Sequence, residues 1–419
     1  MLLFRLRDFL WGLPIVSLLI VSGGYFTVAT KFFQFHPMHL LKRTIGSIKK
    51  NTPDKKKMIA SVSTALGGTV GVGSITGVTL GISVGGAGSV FWMWVSGFTG
   101  MALKYAEVYL AVKYRKKLED GNYAGGTPYA LADCGHPFLG ILFAVFTIFA
   151  SFGVGNLTQI NALSECAKTI GVSKHVFCFL CTALMAIVVF GGQERIGTVS
   201  TFLIPPAAIL YITAVLWIVL LNLDRIPYAF FRILTEAFGI RPVVGGISGM
   251  MISQSMREGF ARGVFSNEAG VGSSPLAHAS SGEGDPTAQG LWGSFEILVD
   301  TFLISTLTAL ALLSTGQNSA PELFRMQFGT IGVMLFAVLM TFFAFSSILS
   351  WCYYADVCLT FLKIPYCKTV YRICSVLTAF IGAYASTTLF WCLADILNAM
   401  MMLPNLFLLF LRRKDVRGP

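Results

Sequence analysis

The chain has 419 residues, 55% of them hydrophobic and 12% charged, with a formal net charge of +11. A soluble domain carries about twice that charged fraction, so the composition excludes one and indicates an all-α polytopic membrane protein. The alternating ten-residue segments of an outer-membrane barrel are missing, and the positive charge gathers in loops, as membrane topology requires, rather than forming a nucleic-acid surface.

Apolar runs bounded by charges and turn residues predict eleven spans, at 9–30, 59–84, 88–112, 137–165, 175–191, 198–221, 242–258, 289–314, 329–360, 369–387 and 390–411. The first follows Arg5 and Arg7 and lacks an A-x-A cleavage site, so it reads as a retained helix rather than a signal peptide. The loop from Lys31 to Lys57 holds eight Lys and Arg and belongs in the cytoplasm. Alternating sides from there places 22 Lys and Arg inside, counting Arg257 and Arg372 at the inner ends of their spans, and 8 outside, with the C-terminus cytoplasmic and the N-terminus outside. The whole of 1–419 is read as one membrane domain. An extra N-terminal helix and basic loop occupy 1–57, the core 58–411, and a basic tail 412–419. The nine cysteines are scattered. Cys178 and Cys181 form a C-x-x-C with no βαβ pattern around it, which reads as ordinary membrane-helix cysteines.

The second span carries "GGTVGVGSITGVTLGISVGGAG", from Gly67 to Gly88, with nine glycines. Glycine costs a helix roughly 1 kcal/mol against alanine. Small residues let membrane helices pack closely, and Gly81-x-x-x-Gly85 fits such a face. Gly67, Gly68, Gly71 and Gly73, however, do not lie on one helical stripe. A helix broken at mid-membrane explains the cluster better: its freed N–H groups hold an anionic group and its freed carbonyls a cation. The span at 242–258, with Gly245, Gly246, Gly249 and Ser253, is the expected counterpart break.

Among polar residues in apolar runs, Gln159 serves either an interhelical hydrogen bond or a substrate site, while Asn156 reads as a brace between helices. Ser346 and Ser347 offer hydroxyl oxygens suited to a hard cation, unless they bond the preceding turn. Trp351 lies one turn beyond Ser347 on the same face. Glu296 and Asp300 share a face, and Glu107 is placed to pair with Lys104; these acids read as structural or gating groups. His36 and His39 lack further metal ligands. The polar stretch at about 260–280 reads as a cytoplasmic gate or interfacial helix. A G-x-S-x-G motif or convergent catalytic set is missing, which argues against a membrane enzyme, and the sequence shows no repeated carbonyl or charged ring of a channel filter.

Seven blocks in order, "GGTVGVGSITGV", "GGAGSVFWMWVSGFTGMALKYAE", "GVGNLTQINA", "EGFARGVFSNEAGVGSSPLAHASS", "VDTFLISTLTAL", "FFAFSSILSWCYYAD" and "ADILNAMMMLPNL", resemble the alanine/glycine:cation symporter family of prokaryotes over nearly the whole chain. The resemblance implies a LeuT-like fold of two inverted five-helix repeats after one extra N-terminal helix, in a bacterial inner (cytoplasmic) membrane. It implies symport of alanine or glycine with Na⁺, with no cofactor and no nucleic-acid partner. On it, Gly71, Val72, Gly73, Ser74, Gln159, Ser253, Ser347 and Trp351 form the substrate site, and Val70, Gly71, Ser346 and Ser347 the cation site. The chain departs from the family at Ser74, where Asn is typical, and at Val72, where the residue is usually small or polar. That departure keeps open a proton-coupled or differently selective carrier of the same fold.

Overall fold

Long apolar runs with few charges have one stable form at membrane depth, the helix, because it satisfies its own backbone. The computed structural model of the chain describes residues 2–49, 54–239, 247–282, 284–364, 366–383 and 387–419. Its helices are α1 (Leu2–Leu10), α2 (Leu13–Ala29), α3 (Pro37–Lys49), α4 (Lys55–Thr69), α5 (Thr76–Gly85), α6 (Gly88–Lys113) and α7 (Thr127–Asp133). Then follow α8 (Pro137–Ala150), α9 (Thr158–Thr169), α10 (Lys174–Phe190), α11 (Gly192–Leu221), α12 (Ile226–Ala237) and α13 (Ile247–Asn267). The last are α14 (Pro275–His278), α15 (Pro286–Ile297), α16 (Thr306–Thr315), α17 (Ala320–Leu362), α18 (Cys367–Gly382) and α19 (Thr387–Leu411). The described β-structure is a two-residue ribbon pairing Lys116–Lys117 with Tyr123–Ala124.

Among the described residues, six helices are long and apolar enough to cross a membrane: Leu2–Ala29, Pro137–Thr169, Gly192–Leu221, Pro286–Thr315, Ala320–Leu362 and Thr388–Leu411. The helices α6 and α13 are 26 and 21 residues long but carry Lys104, Glu107, Arg257, Glu258 and Arg262. Those charges lower their hydropathy without shortening them. Large apolar side chains on the outside, such as Phe202, Ile209 and Trp217 of α11 and Ile331 and Met334 of α17, are exposed, as a lipid-facing surface requires.

One span takes the broken form its glycines suggest, and another departs from its predicted form. The run 59–84 is two helices, α4 and α5, separated by irregular backbone. From Ile247, the described part of the run 242–258 belongs to a helix that continues to Asn267, so Arg262 lies in a helix and not in a cytoplasmic loop. Charge makes 259–267 read as loop. In the fold that charge is neutralised from far along the chain. Arg7 donates to Asp395 at 2.9 Å and to Glu258 at 2.7 Å, and Arg262 pairs with Asp395 and stacks over Trp391 at 5.0 Å. The indole of Trp11 donates to the Asp395 carbonyl at 2.9 Å. The N-terminal helix is thereby fastened to α13 and α19.

Two helices carry π-helical turns, Ser151–Leu157 between α8 and α9, and Leu298–Ser305 between α15 and α16. Such turns recur at functional sites because they displace side chains from the regular helical face.

Candidate functional site

The site is built on the break between α4 and α5. The Val70 N–H still reaches Leu66 O at 2.6 Å. Gly71 is then extended, at φ −135°, ψ −161°, and Val72–Ser74 make one 3-10 turn before α5 begins at Thr76. The Gly67 carbonyl, which a continuous helix would pair with the Gly71 N–H, instead accepts the Ser347 hydroxyl at 2.9 Å. Two glycines here are set by close approach. A Cβ on Gly71 would collide with the Ser347 hydroxyl and come within 4.0 Å of Gln159 Oε1, and one on Gly73 would lie 2.9 Å from the Phe265 ring.

Gln159 follows the first π-turn and is buried. Its Nε2 donates to Val154 O at 3.1 Å, and its Oε1 has no hydrogen-bond partner among the described residues. An unpartnered buried acceptor facing an unwound glycine is what a ligand-binding amide requires. Asn156 binds Ser375 Oγ at 2.8 Å, joining its helix to α18. Ser346 turns its hydroxyl to Phe343 O at 2.9 Å within its own helix, whereas Ser347 reaches across to α4. Ser350 does the same to Thr64 O at 2.6 Å. Trp351 packs against Gly155 and against Tyr354, ring centroids 5.6 Å apart. The structure therefore brings Gly71, Gln159 and Ser347 together, with Val70 and Val72 buried beside them.

The predicted counterpart break falls only partly on the described residues. Gly245 and Gly246 lie outside the described residues, as does the Ser253 side chain, while Gly249 is within α13. Among the described residues, the backbone after α13 turns irregular at Glu268, at φ +55°, and stays so through Gly270 and Gly272 to α14. Ser253 is fourteen residues before Asn267, about 21 Å along a helix rising 1.5 Å per residue.

Around this second break the structure groups residues the sequence did not connect. Lys104, fully buried, does not pair with Glu107. It binds Glu296 Oε2 at 3.1 Å, Thr69 Oγ1 at 3.1 Å and Asn267 O at 2.7 Å, so it bridges the ends of α4 and α13. Glu107 is held by the Asn405 amide of α19. His278 joins Glu296 Oε1 at 2.6 Å and Gln289 at 2.9 Å. Ser74 bonds Asp300, which also receives Ser266 at 2.7 Å.

A cavity of about 540 Å³ approaches from the end where α9 finishes and α17 begins, with Glu165, Lys168 and Arg325 among its lining. It reaches Thr76, one residue past the break, and Thr158, next to Gln159. It also reaches Trp391, whose ring packs on Phe265 at 4.5 Å. Phe265 is the ring against Gly73. The cavity is thus a vestibule closed from the break by an aromatic pair.

Paired helix breaks lined by polar groups, beneath a vestibule and within a multi-helical apolar shell, define a multi-pass membrane transporter. The backbone has the fold of a single-site mutant of the Eremococcus coleocola manganese transporter, with TM-score 0.53 at 12% identity over 86% of this chain and 77% of that one. The profile of the sodium:alanine symporter family matches residues 2–417. The sodium/alanine symporter AgcS of Methanococcus maripaludis is 36% identical over 97% of this chain and 93% of its own. An uncharacterized transporter of Haemophilus influenzae is 37% identical over 99% and 94%. The chain belongs to the sodium:alanine symporter family.

Proposed function

We propose that the protein is a secondary active symporter that imports a small neutral amino acid, alanine or glycine, with Na⁺ by alternating access. The observation that carries this reading is the unwound Val70–Ser74 backbone set between the unpartnered Gln159 Oε1 and the Ser347 hydroxyl. The substrate carboxylate takes the N–H groups freed at Gly71–Gly73, where the N-terminal end of α5 adds partial positive charge. The Gln159 carbonyl accepts from the ammonium group. Na⁺ takes the Val70 and Gly71 carbonyls with the Ser346 and Ser347 hydroxyls, which turn from Phe343 and Gly67 to reach it. Trp351, with Phe345 on the same helix, limits the room left for a side chain.

The layout that goes with this reading is two inverted five-helix repeats after one extra helix, eleven spans in all. The protein sits in a prokaryotic cytoplasmic membrane with its C-terminus inside. The vestibule then opens outward, since α9 and α17 meet it at their outer ends. A second reading, proton coupling, draws on Asp300, a buried carboxylate bonded to Ser74 of the break. Thermal unfolding of the purified protein with alanine, with and without Na⁺, tests the first reading. Alanine is expected to stabilise the protein only when Na⁺ is present, because a ligand bound only by the folded state raises its stability. Equal stabilisation in K⁺ would contradict it.

A further inference from the structure

The buried acids of this protein fall into two groups. Glu296 is paired with Lys104 and His278, Asp395 and Glu258 with Arg7 and Arg262, and Asp356 with Arg372. Asp300 is fully buried, yet among the described residues no Lys, Arg or His lies within ion-pair distance of it. Lys104, on the neighbouring face, is engaged by Glu296, Thr69 and the Asn267 carbonyl. A carboxylate kept from water is sustained by an opposite charge.

Hydroxyls surround Asp300 instead. Ser74 Oγ bonds Oδ1, Ser266 Oγ lies 2.9 Å from Oδ1 and 2.7 Å from Oδ2, and Thr301 Oγ1 lies 3.2 Å from Oδ2. Ser266 Oγ is also 3.1 Å from Ser74 Oγ. All four residues are buried. They come from three places where the backbone leaves regular α-helix: the α4–α5 break, the last turn of α13 before the second break, and the π-turn at Leu298–Ser305. Among the described residues, Glu107 and Glu268 also lack an ion-paired cation, but the side chain that bonds each is one, Asn405 or Ser273, at one oxygen. Neither is surrounded by oxygen donors.

We infer that Ser74, Ser266, Asp300 and Thr301 form a binding site for a monovalent metal cation, Na⁺ as the coupling ion, separate from the site at Ser346 and Ser347. The donor set is oxygen only, which suits a hard cation and not a transition metal. One carboxylate with three neutral hydroxyls balances a single positive charge; a divalent ion ordinarily draws more carboxylates or water. A proton would neutralise Asp300 through one oxygen and leave the convergence of three hydroxyls without purpose. Bound here, the ion ties Ser74 of the substrate-binding break to α13 and to the π-turn. Ion and substrate then stabilise one arrangement of the same segment, and this linkage is what coupling requires. The inference rests on the symporter reading above.

The test uses the purified full-length protein, with radioactive Na⁺ binding at equilibrium and alanine uptake in proteoliposomes measured side by side. Asp300→Asn is expected to bind one Na⁺ fewer than the unaltered protein. Ser266→Ala and Thr301→Val, which keep the carboxylate and guard against loss of folding in the first variant, should raise half-saturating Na⁺ about tenfold or more, as lost charge-assisted contacts do. Unchanged Na⁺ binding in Asp300→Asn, or unchanged half-saturation in both hydroxyl variants, overturns this site while leaving Na⁺ symport intact. Uptake by the unaltered protein that ignores Na⁺ overturns both. Uptake driven by a proton gradient without Na⁺, and lost in Asp300→Asn, makes Asp300 a proton carrier and overturns the cation site.

Discussion

The hydroxyl of Ser347 donates to the carbonyl of Gly67 across 2.9 Å, joining α17 to the last turn of α4 where that helix comes apart. The bond exists because the extended Gly71 withdraws the N–H that Gly67 would otherwise use. It places a hydroxyl oxygen at the break and holds the break in shape. In the proposed function this hydroxyl is one of the Na⁺ ligands.

The double variant Ser346→Ala with Ser347→Ala is therefore expected to raise the Na⁺ concentration for half-maximal uptake by about tenfold or more, with about 1 kcal/mol lost from the Gly67 hydrogen bond. Sodium titration of alanine uptake measures the first and chemical unfolding the second. A double variant with the original sodium dependence removes these serines from the cation site.

Bulk at Gly73 should abolish substrate binding. A Cβ there already meets Phe265 at 2.9 Å and Ser266 at 3.3 Å, so a Leu side chain would fill the approach to the unwound backbone. The check is alanine binding by Gly73→Leu on protein shown to be monodisperse and helical. Full affinity would return the glycine cluster to a packing role.

Size selectivity should follow Trp351. Alanine, glycine and serine are expected to compete with one another and leucine and phenylalanine not to, while Trp351→Ala admits larger substrates and weakens alanine. Removing a buried Trp also costs about 3–5 kcal/mol of stability, so competition is measured below the variant's unfolding temperature. Leucine inhibiting the unaltered protein as well as glycine does would contradict the small pocket.

The division between what the sequence made legible and what it hid follows range along the chain. The first break can be read because glycines off any single helical stripe are a local signal, and Gly71 and Gly73 sit where the backbone is irregular. Asn156 as a brace is legible for the same reason, a lone amide in an apolar run. The irregular backbone at Glu268 is not legible, because Gly245–Gly249 imitate the first cluster while the polar run after 258, with Arg262, looks like a loop. What makes that charged stretch helical is Arg7 and Asp395, distant in sequence at both ends of the chain. Lys104 and Glu107, three apart, suggest a local pair; tertiary packing gives each a partner on another helix, Glu296 and Asn405. Ser266 carries no signal of its own, since a serine in a polar run becomes informative only beside Asp300.

The fully buried pair of Lys104 and Glu296 ties the two breaks together through Thr69 and Asn267. Lys104→Met leaves Glu296 with the His278 ring and the Thr69 hydroxyl as described partners and is expected to destabilise the protein by about 3–5 kcal/mol, with Glu296→Leu in the same chain restoring much of that. Unfolding midpoints of the single and double variants check the pair. Additive losses would show that the two do not act as a unit.

At the C-terminal tail, the Tyr114 hydroxyl and the Lys113 ammonium hold Asp415 below the usual carboxylate range, while burial pushes the Tyr114 phenol up to about 12, so it remains a donor. A lowered folded pKa means this contact is fully present above the ordinary carboxylate value of about 4 and fades as pH falls through the lowered one. Protease cutting near Arg412–Arg417 should be slow and constant from neutral pH down to about 5, and fast at neutral pH in Asp415→Asn. Equal rates in both proteins would contradict the docked tail.

The central claim is sodium-coupled transport of a small neutral amino acid. Its most direct measurement is uptake of radioactive alanine by the purified protein in sealed liposomes under an inward Na⁺ gradient, with K⁺ replacing Na⁺ in a parallel sample and an ionophore collapsing the gradient in a third. The account predicts accumulation above the external concentration with the Na⁺ gradient, and equilibration at most in the other two. Equal accumulation in K⁺, or none in any sample from folded protein, would contradict it.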